Sequence, residues 1–263
     1  FILKKELNAR FSSSLNLNYT NGKFNFFCNY GNNIGNSDNY GSIKRLDYNS
    51  EQLFDFQNNN KSHLYKLGLD FYLNDNNTFS FFTNQNKYDG KGLGSAGIQY
   101  VNKPLELQIF DNETNNLSAQ YNAVFNHKFS KEGETLDFEI DYSEFNQDEV
   151  ANFNFFNIVF PPNYTDFVDT YRDQTIANID YVNPLSEKTK LELGVEARLF
   201  ETNIDYNSTG FSVNENQDNI INNGDEYIPT PSTTFIYKRD IYSAYATYSK
   251  SFEKWTVQVG ARA

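Results

Sequence analysis

The chain predicts an all-β fold, an antiparallel transmembrane β-barrel with short turns at one end and long loops at the other. Three observations predict it. Strands alternate apolar and polar residues; tight polar turns join them in pairs; long polar stretches separate one pair from the next. The clearest strand places Leu136, Phe138, Ile140 and Tyr142 between Asp137, Glu139, Asp141 and Ser143. A period of two gives that strand one apolar face and one wet face.

Five hairpins of this kind follow one another along the 263 residues. The first pairs Phe11, Ser13, Leu15, Leu17 and Tyr19 with Phe24, Phe26, Cys28 and Tyr30 across Asn21-Gly22, a dipeptide suited to a type I′ turn. The second pairs Tyr65 to Leu73 with Phe79 to Thr83 across Asn74–Asn77. The third pairs Leu117 to Phe125 with Leu136 to Tyr142 across Ser130–Gly133. The fourth pairs Thr175 to Tyr181 with Leu191 to Leu199, and its turn, Asn183–Lys188, contains Pro184. The fifth pairs Tyr242 to Tyr248 with Trp255 to Ala261 across Lys250–Lys254. Each of the ten strands is near the 9–11 residues that a tilted strand needs to cross hydrocarbon.

Composition agrees with this architecture. Apolar residues make up only 38% of the chain, aromatics 17%, and the mean hydropathy is −0.68. A sandwich would need a shared core of branched aliphatics, whereas a wet-lumened barrel needs apolar residues on its outer face alone. No run approaches the eighteen apolar residues of a spanning helix. Tyr19, Phe24, Phe71, Phe79, Phe129, Tyr181, Tyr248 and Trp255 gather beside the short turns, as in an interfacial girdle. Lys66, Asp70, Asn122, Asp137, Glu139, Asp141, Asp180, Glu192, Glu196 and Arg198 occupy the opposite phase and are expected to face inward, because charge facing lipid is costly. The segments 31–62, 85–116, 146–172 and 201–234 are rich in Asn, Asp, Gly and Ser and read as long extracellular loops.

Several kinds of chemistry are not expected. A net charge of −12 without a basic stripe disfavours nucleic acid. Cys28 stands alone, and His63 and His127 have no second ligand at metal spacing, so neither a disulfide framework nor a metal site is expected. No catalytic constellation, phosphate loop or nucleophile elbow occurs, and no cofactor is implied. Asp218 to Glu226 clusters oxygen donors around Gly224 but lacks the alternate-donor register and closing bidentate Glu of a calcium loop. One aromatic-rich loop contains Phe153, Phe155, Phe156, Phe160, Tyr164 and Phe167 around Pro161-Pro162. Phe155, Phe156 and Tyr164 are its candidate ligand-binding residues, set above the barrel mouth.

The stretches from Ser14 to Phe27, Leu67 to Thr78 and Tyr242 to Ser249, with Trp255 and Gly260 to Arg262, resemble the barrel of TonB-dependent receptors of Bacteroidetes-type bacteria. The family's final motif usually continues into an acidic residue and further strands. The resemblance implies a location in the outer membrane of a Gram-negative bacterium and a plugged barrel of about 22 strands, of which residues 1–263 form a portion. It also implies a plug domain outside these residues that couples uptake to the TonB system. The partners implied are outer-membrane lipid, TonB through that plug, and a ligand that is a small molecule, a glycan or a peptide. Phe1 to Lys5 resembles the end of the segment joining plug to barrel. The rival expectations are a standalone small barrel of structural or adhesin type, an outer-membrane hydrolase, and a soluble β-sandwich.

Overall fold

A computed structural model describes residues 10–46, 49–101, 103–158, 162–213 and 227–263. Phe1 to Lys5, the cluster from Asp218 to Glu226, Phe160 and Pro161 lie outside the described residues. The elements are β1 (Arg10–Asn21), β2 (Phe24–Arg45), β3 (Ser50–Asn74), β4 (Asn77–Tyr100), β5 (Glu106–Lys128), β6 (Thr135–Phe156), β7 (Tyr164–Ser186), β8 (Thr189–Ser208), β9 (Phe211–Val213), β10 (Tyr227–Pro229), β11 (Thr233–Ser251) and β12 (Thr256–Arg262). Ten of these form one antiparallel meander in the order β1 to β8, then β11 and β12. The short strands β9 and β10 pair with each other in the connection from β8 to β11.

The sheet is a single layer. Its accessible surface of 18196 Å² far exceeds the roughly 12,000 Å² expected of a compact soluble protein of this mass. Ala119 is the one buried hydrophobic residue among those described. Leu67, Leu193 and Val257 are 53%, 39% and 39% exposed, and among the described residues no helix or second layer packs over them. That arrangement removes the soluble sandwich: among the described residues the apolar face has no protein partner.

Register assigns the faces. Tyr19, Phe26, Leu69, Phe81, Ala123, Ile140, Ala177, Ala197 and Tyr242 are successive cross-strand partners, so one apolar face runs across nine strands. The opposite face carries the polar residues expected there, from Lys66 and Asp70 to Glu196 and Arg198. Along β5 the apolar-phase residues Asp111, Glu113 and Asn115 are exposed while Asn112, Thr114 and Asn116 are half-buried, which makes the polar-phase side concave. On the apolar face, Glu144, Asp173, Glu201 and Lys238 fall in one register row and mark the upper limit of the greasy band. Between that row and the short turns lie about nine residues per strand, matching the hydrocarbon thickness for a tilted strand.

The turns show why some local expectations shift. The first turn is Gly22-Lys23, closed by Asn21 pairing with Phe24, and Gly22 has φ 57 while Lys23 is not among the positive-φ residues. A type I′ turn needs positive φ at both central residues, so the geometry is that of II′ with glycine first. Pro184 lies in β7 opposite Lys190 rather than in the turn, beside a register shift between Pro184 and Ser186. A bulge tolerates the missing N–H there. At the second turn the amide of Asn76 donates to Asn74 Oδ1 at 3.0 Å, the side chain mimicking a backbone turn.

The larger difference concerns the long polar stretches. Among the described residues, segments 31–62, 85–116, 146–172 and 201–234 are mostly strand, not loop: β3 has 25 residues and β4 has 24. The first four hairpins continue past the membrane band as paired walls. The ladder propagates because register is already set below, and polar residues keep it going where both faces are wet.

Candidate functional site

Within the membrane band the concave face carries a side-chain network. Asp70 accepts hydrogen bonds from Asn25 Nδ2 at 3.0 Å and Ser80 Oγ at 2.7 Å. Asp141 accepts from Gln120 at 2.7 Å, and Glu139 accepts from Asn122 at 2.7 Å. Tyr245 donates to Asp180 at 2.6 Å, and Glu196 receives Arg262 at 3.1 Å and Arg198 at 3.4 Å. Asn122 Oδ1, Asn178 Oδ1 and Arg198 Nε are buried without a hydrogen-bond partner. Unsatisfied polar atoms on a lumen-facing wall are sites for water or for another polar segment.

Two glycines on this face are covered by rings. A Cβ at Gly68 would stand 2.0 Å from Phe27 Cζ, and one at Gly194 would stand 2.1 Å from Tyr245 Cε1. The rings lie across the bare backbone of the neighbouring strand, and Lys66 Nζ sits 4.9 Å from the Phe82 centroid. These glycines exist for close approach of a neighbour's side chain.

Above the band, the concave face bears a run of aromatic rings. Phe54 and Phe56 have centroids 5.7 Å apart, Phe56 and Phe110 5.3 Å, Phe110 and Phe153 6.4 Å, and Phe153 and Tyr164 4.7 Å. Phe155 stacks on Tyr164 at 5.9 Å. The run crosses β3, β5, β6 and β7, and it passes over Gly94 of β4, whose Cβ would meet Phe110 Cζ at 2.2 Å and Phe56 Cδ1 at 2.6 Å. Of the three ligand-binding candidates, Phe155 and Tyr164 are therefore neighbours on the concave wall. Phe156 has the opposite phase, pairs with Leu107 and is 49% exposed on the other side. Burial and the nearby Asp166 carboxylate push the Tyr164 hydroxyl above its ordinary value. Burial does the same for Tyr206, which donates to Asp166 Oδ1 at 3.1 Å.

Sequence reasoning missed Phe54, Phe56 and Phe110, which it assigned to loops. A usable signal was present: Gly90, Gly92 and Gly94 alternate in β4, a pattern that leaves one strand face bare. A hollow of about 330 Å³ lies below the rings on the same face, floored by Ser118 and Ser143 and walled by Asn84, Gln120, Phe145 and Phe200. The Arg172 guanidinium lies 5.4 Å from the Phe145 centroid and closes its far side.

On the convex face the girdle residues meet as neighbours. Phe24 stacks on Phe71 at 4.8 Å, Phe79 on Phe125 at 4.6 Å, and Phe252 on Trp255 at 4.1 Å. The histidines belong to this face: His63 Nδ1 lies 2.9 Å from Tyr30 OH, and His127 Nδ1 lies 2.7 Å from Asn77 Oδ1. Among the described residues no group of three His, Cys, Asp or Glu side chains is placed to hold a metal ion.

The outer membrane protein beta-barrel family matches residues 127–263, more than half of the chain. Among solved structures, the open form of the ferric-catecholate import receptor Fiu from E. coli K12 matches at 10% identity with a TM-score of 0.45, over 96% of this chain and 52% of that one. The ferric yersiniabactin uptake receptor FyuA from Yersinia pestis matches at 10% identity with a TM-score of 0.48, over 95% and 44%. The translocator domain of the autotransporter NalP from Neisseria meningitidis matches at 8% identity with a TM-score of 0.29, over 99% and 88%. The chain thus spans about half the length of the two receptors. No curated protein matches it.

Proposed function

Because the chain belongs to the outer membrane protein beta-barrel family, we propose that it forms part of the barrel wall of a TonB-dependent receptor of the Bacteroidetes type, taking up a nutrient across the outer membrane. The observation that carries this reading is the open edge on each side of the sheet. Among the described residues β1 pairs with β2 alone, and β12 with β11 alone. Ten strands with free edges in hydrocarbon would leave a row of backbone groups without partners, which supports a ring completed by further strands. The concave network of carboxylates and amides supports the same reading, because its unpartnered atoms suit a lumen filled by a plug and water. The role is transport rather than catalysis, and the energy for it comes through TonB and the plug of the whole protein.

The test uses the full-length protein in its own outer membrane. Photo-crosslinkers placed in the segment preceding the plug should yield an adduct with TonB, increased when ligand is supplied. A folded, heat-modifiable barrel that never crosslinks to TonB would overturn the assignment and favour a standalone barrel.

A further inference from the structure

We propose that the concave wall of β2 to β5 above the membrane binds an uncharged oligosaccharide. The inference rests on the receptor reading and names the ligand class of that same wall. Its basis is a separation of charge between the two faces of these strands. Continuous register fixes which residues share a face from Asn29 to Gly41, Gln52 to Leu64, Asn84 to Ile98 and Gln108 to Gln120. The concave positions in those spans hold no Asp, Glu, Lys, Arg or His; they are Asn, Gln, Ser, Thr, Gly and aromatic or aliphatic residues. The convex positions of the same strands carry Asp55, Lys61, Lys87, Asp89, Asp111 and Glu113. In a chain with net charge −12, that neutral wall is a selection of chemistry.

Each ligand class makes a different demand. An anionic chelate calls for Arg or Lys donors, which those spans lack. Arg45 and Glu106 stand beyond them at the upper ends of β2 and β5, and Arg172 at the hollow belongs to β7 and lies over the Phe145 ring. A peptide recognised by strand addition needs an open sheet edge, but β2 to β5 are paired on both sides. A sugar presents an apolar C–H face to a ring and hydroxyls that both donate and accept, as amides do. The ring run from Phe54 to Tyr164 supplies the platform, and Asn112, Thr114, Asn116 and Ser118 descend β5 from it toward the hollow. The amides are held in place: Asn60 accepts from Tyr88 OH at 2.8 Å, and Asn86 accepts from Ser62 Oγ at 2.8 Å. Gly90, Gly92 and Gly94 leave room for the Tyr88, Asn112 and Phe110 side chains to lie across β4, which lowers the relief of the wall along which a chain of sugar rings would run.

The experiment presents the full-length protein in detergent with arrayed uncharged oligosaccharides of glucose, mannose, xylose and N-acetylglucosamine. Sialylated and sulfated glycans, a ferric catecholate and short peptides are arrayed beside them. Retention of an uncharged glycan is expected, weakened about tenfold by Phe110→Ala through lost stacking. Asn112→Asp, which keeps the shape and adds charge, should weaken it as well while leaving heat-modifiable migration intact. Lys91→Ala on the convex face should change nothing. Retention of charged probes alone, of no uncharged glycan, or of glycan indifferent to both concave variants overturns the proposal. Crosslinking to TonB reports separately, so the receptor assignment can survive this failure.

Discussion

Gly68 shows how a single position is decided by a neighbour far away in sequence. Its absent side chain leaves room for the Phe27 ring of the neighbouring strand. Gly68→Val should displace that ring and lower stability by about 1–3 kcal/mol, measured by urea unfolding in lipid vesicles; an unchanged midpoint would show that the ring has another place to go. Lys238 gives a second test at this scale. Its hydrogen bond to Glu201, at 2.8 Å, raises the ammonium above the ordinary lysine value of 10.5. A raised folded value means the pair's contribution is whole below that ordinary value and is lost as pH climbs through the higher one. In Glu201→Gln this contribution should be missing at neutral pH, and its unfolding midpoint should converge with that of the parent as pH rises through the higher value; the difference is small because both groups are solvated. Tyr164, by contrast, was legible as an aromatic in a crowded segment, whereas its stacking on Phe153 was not.

At the scale of the strand, alternation told which residues share a face, and register bears this out from β1 to β12. Leu193 faces hydrocarbon and Thr247 faces the lumen opposite Glu192. Leu193→Arg should destabilise the barrel by about 2–4 kcal/mol near the bilayer midplane, and Thr247→Arg should cost far less; equal losses in a folding titration would mean the faces are misassigned. Turn chemistry was legible to the hairpin but not to the residue. Gly22 marks the first turn correctly, yet its type depends on which two residues end up at the centre, and this is set by the pairing of Asn21 with Phe24. The polar extensions were the real loss of signal. Where Asn58, Asn59 and Asn60 follow one another, both faces are wet and a period of two leaves no trace in hydropathy.

Taken whole, the molecule is one layer of sheet whose apolar side has only lipid to meet. Removing detergent from the purified protein should precipitate it, and its gel migration should change on heating; a monodisperse detergent-free solution would contradict a membrane location. Within the greasy band the carboxylates Asp70, Glu139, Asp141, Asp180 and Glu196 all lie on the concave side, while on the convex side the charge gathers in the row of Glu144, Asp173 and Glu201 and beyond it.

Alternation is a local property, so the chain by itself determined the strands, the hairpins and the face each side chain takes. Neighbourhood across strands is not local: Phe56, Phe110 and Phe153 are distant in sequence and meet only because three hairpins share one register. The aromatic run, the neutral wall and the reach of the strands past the membrane were therefore decided by pairing, which no single stretch of the chain encodes.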